Sequence, residues 1–235
     1  MYQAQSRRAD HLDELQVLAG LDRNGVERQV VVALAQARAG HIEPAVVTLG
    51  TTLERTPDDP RVYQALGQIW LQDAETRNDR FALNKAIEAL ERASSATAVT
   101  SETLTFFGRA LLRDGQNDRA EQILQTATTR YPVDPSSFAY YATAAERQRH
   151  FDAARQALVD LAALQGDNGN IADRATRIAT LSMRLNDPAS AARWFQKAVD
   201  AAGPGRADPR LLRLLADAQA KAGLKPPPAA AASGR

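Results

Sequence analysis

The sequence predicts an all-α chain built from about five copies of one helix pair, with a capping helix at each end. Three observations carry that expectation. A small residue directly after a large apolar one recurs six times, at spacings of 34, 41, 34, 37 and 37 residues. Ala, the strongest helix former, makes up about a fifth of the chain. No stretch of β-branched residues alternates with the period of two that a half-buried strand needs.

The elements follow in chain order. Residues 3–21 carry Leu12, Leu15, Leu18, Ala19 and Leu21 in one amphipathic stretch, read as an N-terminal capping helix within 1–25. Repeats are then expected near 26–59, 60–100, 101–134, 135–171 and 172–208. Their small residues are Ala33, Gly67, Gly108, Ala142 and Ala179, preceded by Val32, Leu66, Phe107, Tyr141 and Ile178; the last pair is Leu215 and Ala216. An alanine lies twelve residues beyond four of the first five: Ala45, Ala120, Ala154 and Ala191. In the second repeat the matching Ala86 comes seven residues late, after the polar stretch from Gln72 to Asn84, so two extra helical turns or a longer loop are expected there. Four residues after each alanine stands Leu49, Leu90, Leu124, Leu158 or Phe195.

Start and stop signals agree with this frame. Asp59-Pro60, Asp134-Pro135 and Asp208-Pro209 put a capping acceptor before a proline whose missing N–H costs nothing at the first helical position, and Asp187-Pro188 repeats the device inside the fifth repeat. Gly40 and Gly115 sit where paired helices turn. Pro57 and Pro132 close two repeats, and Gly166 and Gly203 close two more. Residues 209–223 read as a lone last helix with Arg210, Arg213, Asp217 and Lys221 on a polar side, and 224–235 as a disordered Pro- and Ala-rich tail.

This pattern resembles the tetratricopeptide repeat, a helix–turn–helix unit whose signature is W-x2-L-G-x2-Y…A-x3-F…P. The resemblance covers about residues 26–223 and implies a right-handed α–α superhelix. The opening aromatic slot departs from the signature, holding Gln29, Tyr63, Leu104, Phe138, Ala175 and Leu212. In the family, Lys and Asn on adjacent first helices grip a C-terminal carboxylate. The matching places here hold Val30, Leu34 and Ala65, or Gln64, Gln68 and Thr105, so that specificity is not carried over.

The search for chemistry is largely negative. With no cysteine, thiolate metal sites, disulfides and cysteine nucleophiles are excluded. His11, His41 and His150 are far apart and form no metal-binding spacing, and no phosphate-binding or nucleophile-elbow motif occurs. Asp167-Asn168-Gly169-Asn170 lacks the ligand spacing of a calcium loop and reads as a turn followed by a helix cap. No enzyme, metal or cofactor is therefore expected. The formal charge of +1 gives no reason to expect nucleic acid or an acidic membrane as partner. Only four basic residues are Lys, the remainder being Arg, a bias expected of a GC-rich bacterial genome. No apolar run approaches a membrane span and the first ten residues lack the apolar core of a signal peptide. The default location is the cytoplasm, and a fragment of an exported protein would read the same.

What remains is a surface. Five residues after each small slot come Arg38, Gln72, Arg113, Arg147, Arg184 and Lys221, a cationic ladder along the face lined by first helices. Phe106, Arg109, Tyr140 and Arg177 fall on the same general face. The ladder reads either as a solvated face partly neutralised by pairs such as Asp173–Arg177 and Asp217–Lys221, or as a groove for a partner segment with acidic character. The candidate partner-binding set is Arg38, Phe106, Arg109, Arg113, Tyr140, Arg147, Arg177 and Arg184. The expected function is a scaffold that binds an extended or helical segment of another protein and assists assembly of a complex. The alternatives are a regulatory or sensing module of a larger protein and, with less support, an anion- or RNA-binding repeat.

Overall fold

The computed structural model describes residues 25–166, 170–203 and 205–224. The expected N-terminal helix, the tail beyond Leu224 and the 167–169 turn lie outside them. Among the described residues the regular structure is entirely helical: α1 (Val26–Arg38), α2 (Ile42–Arg55), α3 (Pro60–Arg77), α4 (Arg80–Ser94), α5 (Ser101–Asp114), α6 (Asn117–Thr129), α7 (Ser136–Arg147), α8 (Phe151–Gln165), α9 (Ile171–Arg184), α10 (Pro188–Ala202) and α11 (Pro209–Lys221). They fall into two compact units, one up to Ser137 and one from Phe138.

Seven of the eleven described helices start on a side-chain cap. Asp59, Asp134, Asp187 and Asp208 accept hydrogen bonds from the backbone N–H groups of Arg61, Ser136, Ser190 and Arg210. Asp79, Thr100 and Asn170 cap three further helices in the same way. All five turns within a helix pair contain a left-handed residue: Gly40, Asn78, Gly115, Arg149 and Asn186, with φ of 91°, 53°, 84°, 63° and 57°. Asn tolerates that region through its short polar side chain, whereas Arg149 occupies it without that help.

Hydrogen bonds from the Arg61 guanidinium, then from its backbone N–H, hold the Asp59 carboxyl below its ordinary value. A lowered carboxyl pKa contributes stability that is present above the unfolded value, near pH 4, and lost as pH falls through the folded value. Asp59→Ala is expected to cost about 1 kcal/mol at neutral pH. The difference from the native chain should shrink below about pH 4, as read by urea unfolding across that range.

The periodic residues form the core. Ala33, Ala142 and Ala179 are fully buried, as are Ala45, Ala86, Ala120, Ala154 and Ala191. A Cβ added to Gly67 would lie 2.3 Å from the Leu90 Cγ, and one on Gly108 2.3 Å from the Leu124 Cγ. The small slot of a first helix therefore receives the large residue of its own second helix, and the backbones approach closely because the slot is empty. Ala216 departs from the pattern. It is exposed, because no helix among the described residues follows α11 to cover it, and Leu212 on the same stripe is 46% exposed. That edge is less polar than the charge pattern of 209–223 suggests.

The seven extra residues of the second repeat become helix. α3 runs ten residues past Gly67 where α5 runs six past Gly108, and α4 starts six residues before Ala86 where α6 starts three before Ala120. Each helix of this pair is thus about one turn longer. The added turn is anchored: Asp73 is buried and pairs with Arg77 at 2.9 Å, and Ala74 is fully buried.

Candidate functional site

In the first unit α1, α3 and α5 lie side by side and line a groove of about 290 Å³. α1 contributes Leu34 and Arg38, α3 contributes Gln68, Leu71, Gln72 and Glu75, and α5 contributes Phe106 and Arg109. The α3 residues recur at helical spacing, which puts them on one face. Leu71 is buried, Leu34, Gln68 and Phe106 are half-buried, and Arg38 and Gln72 are exposed. The groove thus has an apolar floor and a polar rim, the composition of a surface that holds a partner.

The guanidinium groups do different things. Arg109 donates from Nε to Glu75 Oε1 at 2.8 Å and from Nη2 to Glu75 Oε2, closing a two-point ion pair between α5 and α3. Arg113 lies outside this groove: its Nη2 donates to the Ala74 carbonyl at 3.1 Å and to Asn78 Oδ1 at 3.0 Å. It satisfies carbonyl groups at the end of the lengthened α3, where a cation is favoured. It also borders a second cavity, of about 390 Å³, with Asn78, Asp79, Arg80, Leu83 and Asp114. The Arg38 side chain has no hydrogen-bond or ion-pair partner among the described residues.

The second unit holds the other candidates. Tyr140, Thr143 and Arg147 share one face of α7 by helical spacing. Arg177 on α9 donates from Nε to Glu146 Oε1 at 2.6 Å and from Nη2 to Thr143 Oγ1 at 3.0 Å. Its carboxylate partner is therefore Glu146 of the neighbouring first helix and not Asp173, whose backbone N–H donates to the Asn170 cap of α9. Lys221 and Asp217 do pair within α11, at 2.8 Å. The Arg184 guanidinium lies over the Phe151 ring, 5.0 Å from its centroid.

Sequence reasoning found Arg38, Phe106 and Arg109 in the first-unit groove and missed Leu34, Gln68, Leu71 and Glu75 as its lining. Glu75 lies in the inserted stretch, whose helical continuation of α3 alone brings it to α5. Among the described residues no group of three or more His, Asp or Glu could hold a metal ion, and no helix is long and apolar enough to cross a membrane.

The tetratricopeptide-repeat family model matches residues 107–171. That stretch is matched to the tetratricopeptide repeat, and the chain as a whole shares the fold of tetratricopeptide-repeat structures. Its fold is similar to that of YrrB, a tetratricopeptide-repeat protein with an unusual peptide-binding site: TM-score 0.64, 14% identity, covering 88% of this chain and 97% of that one. It is also similar to pilF of Pseudomonas aeruginosa, with TM-score 0.66, 18% identity, and 94% and 92% of the two chains covered. A curated relative, the Vi polysaccharide export protein VexE of Salmonella typhi, is 28% identical over 144 residues, which are 60% of this chain and 22% of that protein. This chain therefore matches about a fifth of that relative's length. Tetratricopeptide repeats are in general protein-interaction scaffolds.

Proposed function

We propose that this protein binds a segment of another protein along the face lined by its first helices and so assists assembly of a complex. The observation that carries the reading is the first-unit groove, lined together by the half-buried Phe106 and Leu34, the buried Leu71 and an Arg with no partner among the described residues. Helical backbone is hydrogen-bonded internally, so such a face recognises a partner through side chains alone. The peptide-binding site of the similarly folded YrrB supports the reading. In the second unit Tyr140, Arg147, Arg177 and Arg184 are the residues proposed to serve the same role.

A second reading, a regulatory or sensing module within a larger protein, is favoured by the match to only 22% of VexE. An anion- or RNA-binding role has less support, because Glu75 and Glu146 neutralise Arg109 and Arg177.

The test is affinity capture from native lysate with quantification of bound proteins. Phe106→Ala and Tyr140→Ala, each with native-like circular dichroism, are expected to reduce captured partners about tenfold or more. Val47→Ala, on an exposed second-helix position, should leave them unchanged. An identical partner list for all three variants overturns the proposal.

A further inference from the structure

We infer that α11 is a self-association face, on which a second copy of this chain lays its own α11 antiparallel. The inference stands apart from the first-unit groove and uses none of its residues.

The face is an unfilled slot. In the second and third repeats the small residue of the first helix receives a large one from the second helix, Leu90 at Gly67 and Leu124 at Gly108. α11 continues the first-helix pattern with Leu215 and Ala216, and no second helix follows it among the described residues. Ala216 and Ala220 are exposed, Leu212 is 46% exposed and Leu224 is 47% exposed. Leu212, Ala216 and Ala220 recur at helical spacing along one stripe. The Leu224 N–H donates to the Gln219 carbonyl at 2.9 Å, which folds that leucine back beside the end of the stripe. A cavity of about 410 Å³, bordered by Val199, Gly203 and Ala207, opens beside Leu212.

Three observations select a second copy as the occupant. The first is what this chain offers after α11. Its second helices are 13–15 residues long and carry Leu49, Leu90, Leu124, Leu158 or Phe195 at the matching position. Residues 225–235 hold three consecutive prolines and no Leu, Ile, Val, Met or aromatic side chain to place in the slot. The second is symmetry. The stripe reads Leu, Ala, Ala, Leu in either direction. An antiparallel copy therefore sets each Leu212 against the other copy's Leu224, beside the cavity, and the alanines at the middle, where small side chains let two backbones approach. The third is charge. Arg213, Asp217 and Lys221 flank the stripe one turn apart and alternate in sign, so the two copies oppose no run of like charge. A contact of one short helix on each side falls at or below the roughly 1,200 Å² that a stable interface buries, so the association is reversible.

Sedimentation velocity of the 235-residue chain between about 1 and 100 μM tests this. The weight-average mass should rise from that of one chain toward that of two. Leu212→Glu and Ala216→Glu alter exposed positions and should keep native-like circular dichroism, and each should weaken association about tenfold or more. Phe106→Ala should associate as the native chain does. The chain has no cysteine, so under oxidation an equal mixture of Ala216→Cys and Ala220→Cys should form linked dimers faster than either variant alone, as an antiparallel pair requires. The mass of one chain at every concentration overturns the inference, as does association that survives both Glu variants or linkage that is fastest within Ala216→Cys alone. Association that appears only when residues 225–235 are removed would put those residues on α11 and overturns it equally.

Discussion

Leu124→Ala is expected to destabilise the first compact unit by about 3–4 kcal/mol. Leu124 is fully buried and fills the slot left open by Gly108, so truncation empties the contact between α5 and α6. The helices cannot close onto the void freely. The buried Ser101 hydroxyl donates to the Ala127 carbonyl at 2.8 Å and accepts from the Asp134 N–H at 3.0 Å, fixing the ends of the pair at their present spacing. The reciprocal change should also destabilise. In Gly108→Ala the new Cβ would stand 2.3 Å from Leu124 Cγ and 2.6 Å from Cδ2, atoms of a fully buried side chain. Overpacking of that kind costs about 1–3 kcal/mol, against about 1 kcal/mol gained in helix propensity. The double variant should be less damaged than the sum of the two, by about 1 kcal/mol or more, because each change relieves the other. Unfolding in urea with hydrogen exchange resolved along the chain measures all three. Strict additivity would show that the two side chains do not share the slot.

In the second unit, Phe195→Ala should cost about 3–5 kcal/mol and Phe195→Leu less than about 1.5 kcal/mol. Phe195 is 1% exposed, in a cluster with Ala179, Ala191, Ala192, Leu215 and Ala218 that joins α9, α10 and α11. The same register holds Leu49, Leu90, Leu124 and Leu158, all buried, so the repeat accepts leucine there. Stability in a stacked-repeat protein is close to a sum of local terms, so protection should fall in α9 to α11 and persist in α1 to α6. A Leu variant as damaged as the Ala variant would show that the aromatic shape, not the volume of the slot, holds this cluster together.

Much of this was readable before any coordinates, and the reason lies in the repetition. One slot holding Ala or Gly after a large residue is weak evidence. Five copies that all bury, with the two glycines each facing the large residue of the second helix, come from a constraint imposed again at every pair. The capping aspartates were legible because they act over two or three residues, a range in which sequence neighbours are spatial neighbours. The site was legible only in outline. Register placed Arg38, Phe106 and Arg109 on one face, and could not distinguish Arg113, which caps the lengthened α3, from Arg38, which the groove keeps.

The order of small and large residues, with the capping aspartates, determined the all-α character, the pairing of the helices and which residues are buried, because these depend on periodicity and on contacts inside one repeated unit. Tertiary structure alone decided where the seven extra residues went and which carboxylate each arginine meets. Glu75 and Arg109 are 34 residues apart in sequence, and Glu146 and Arg177 are 31 apart. Such pairings depend on how far one helix extends beside another, a distance set by packing between pairs and not written into the signature of any single one.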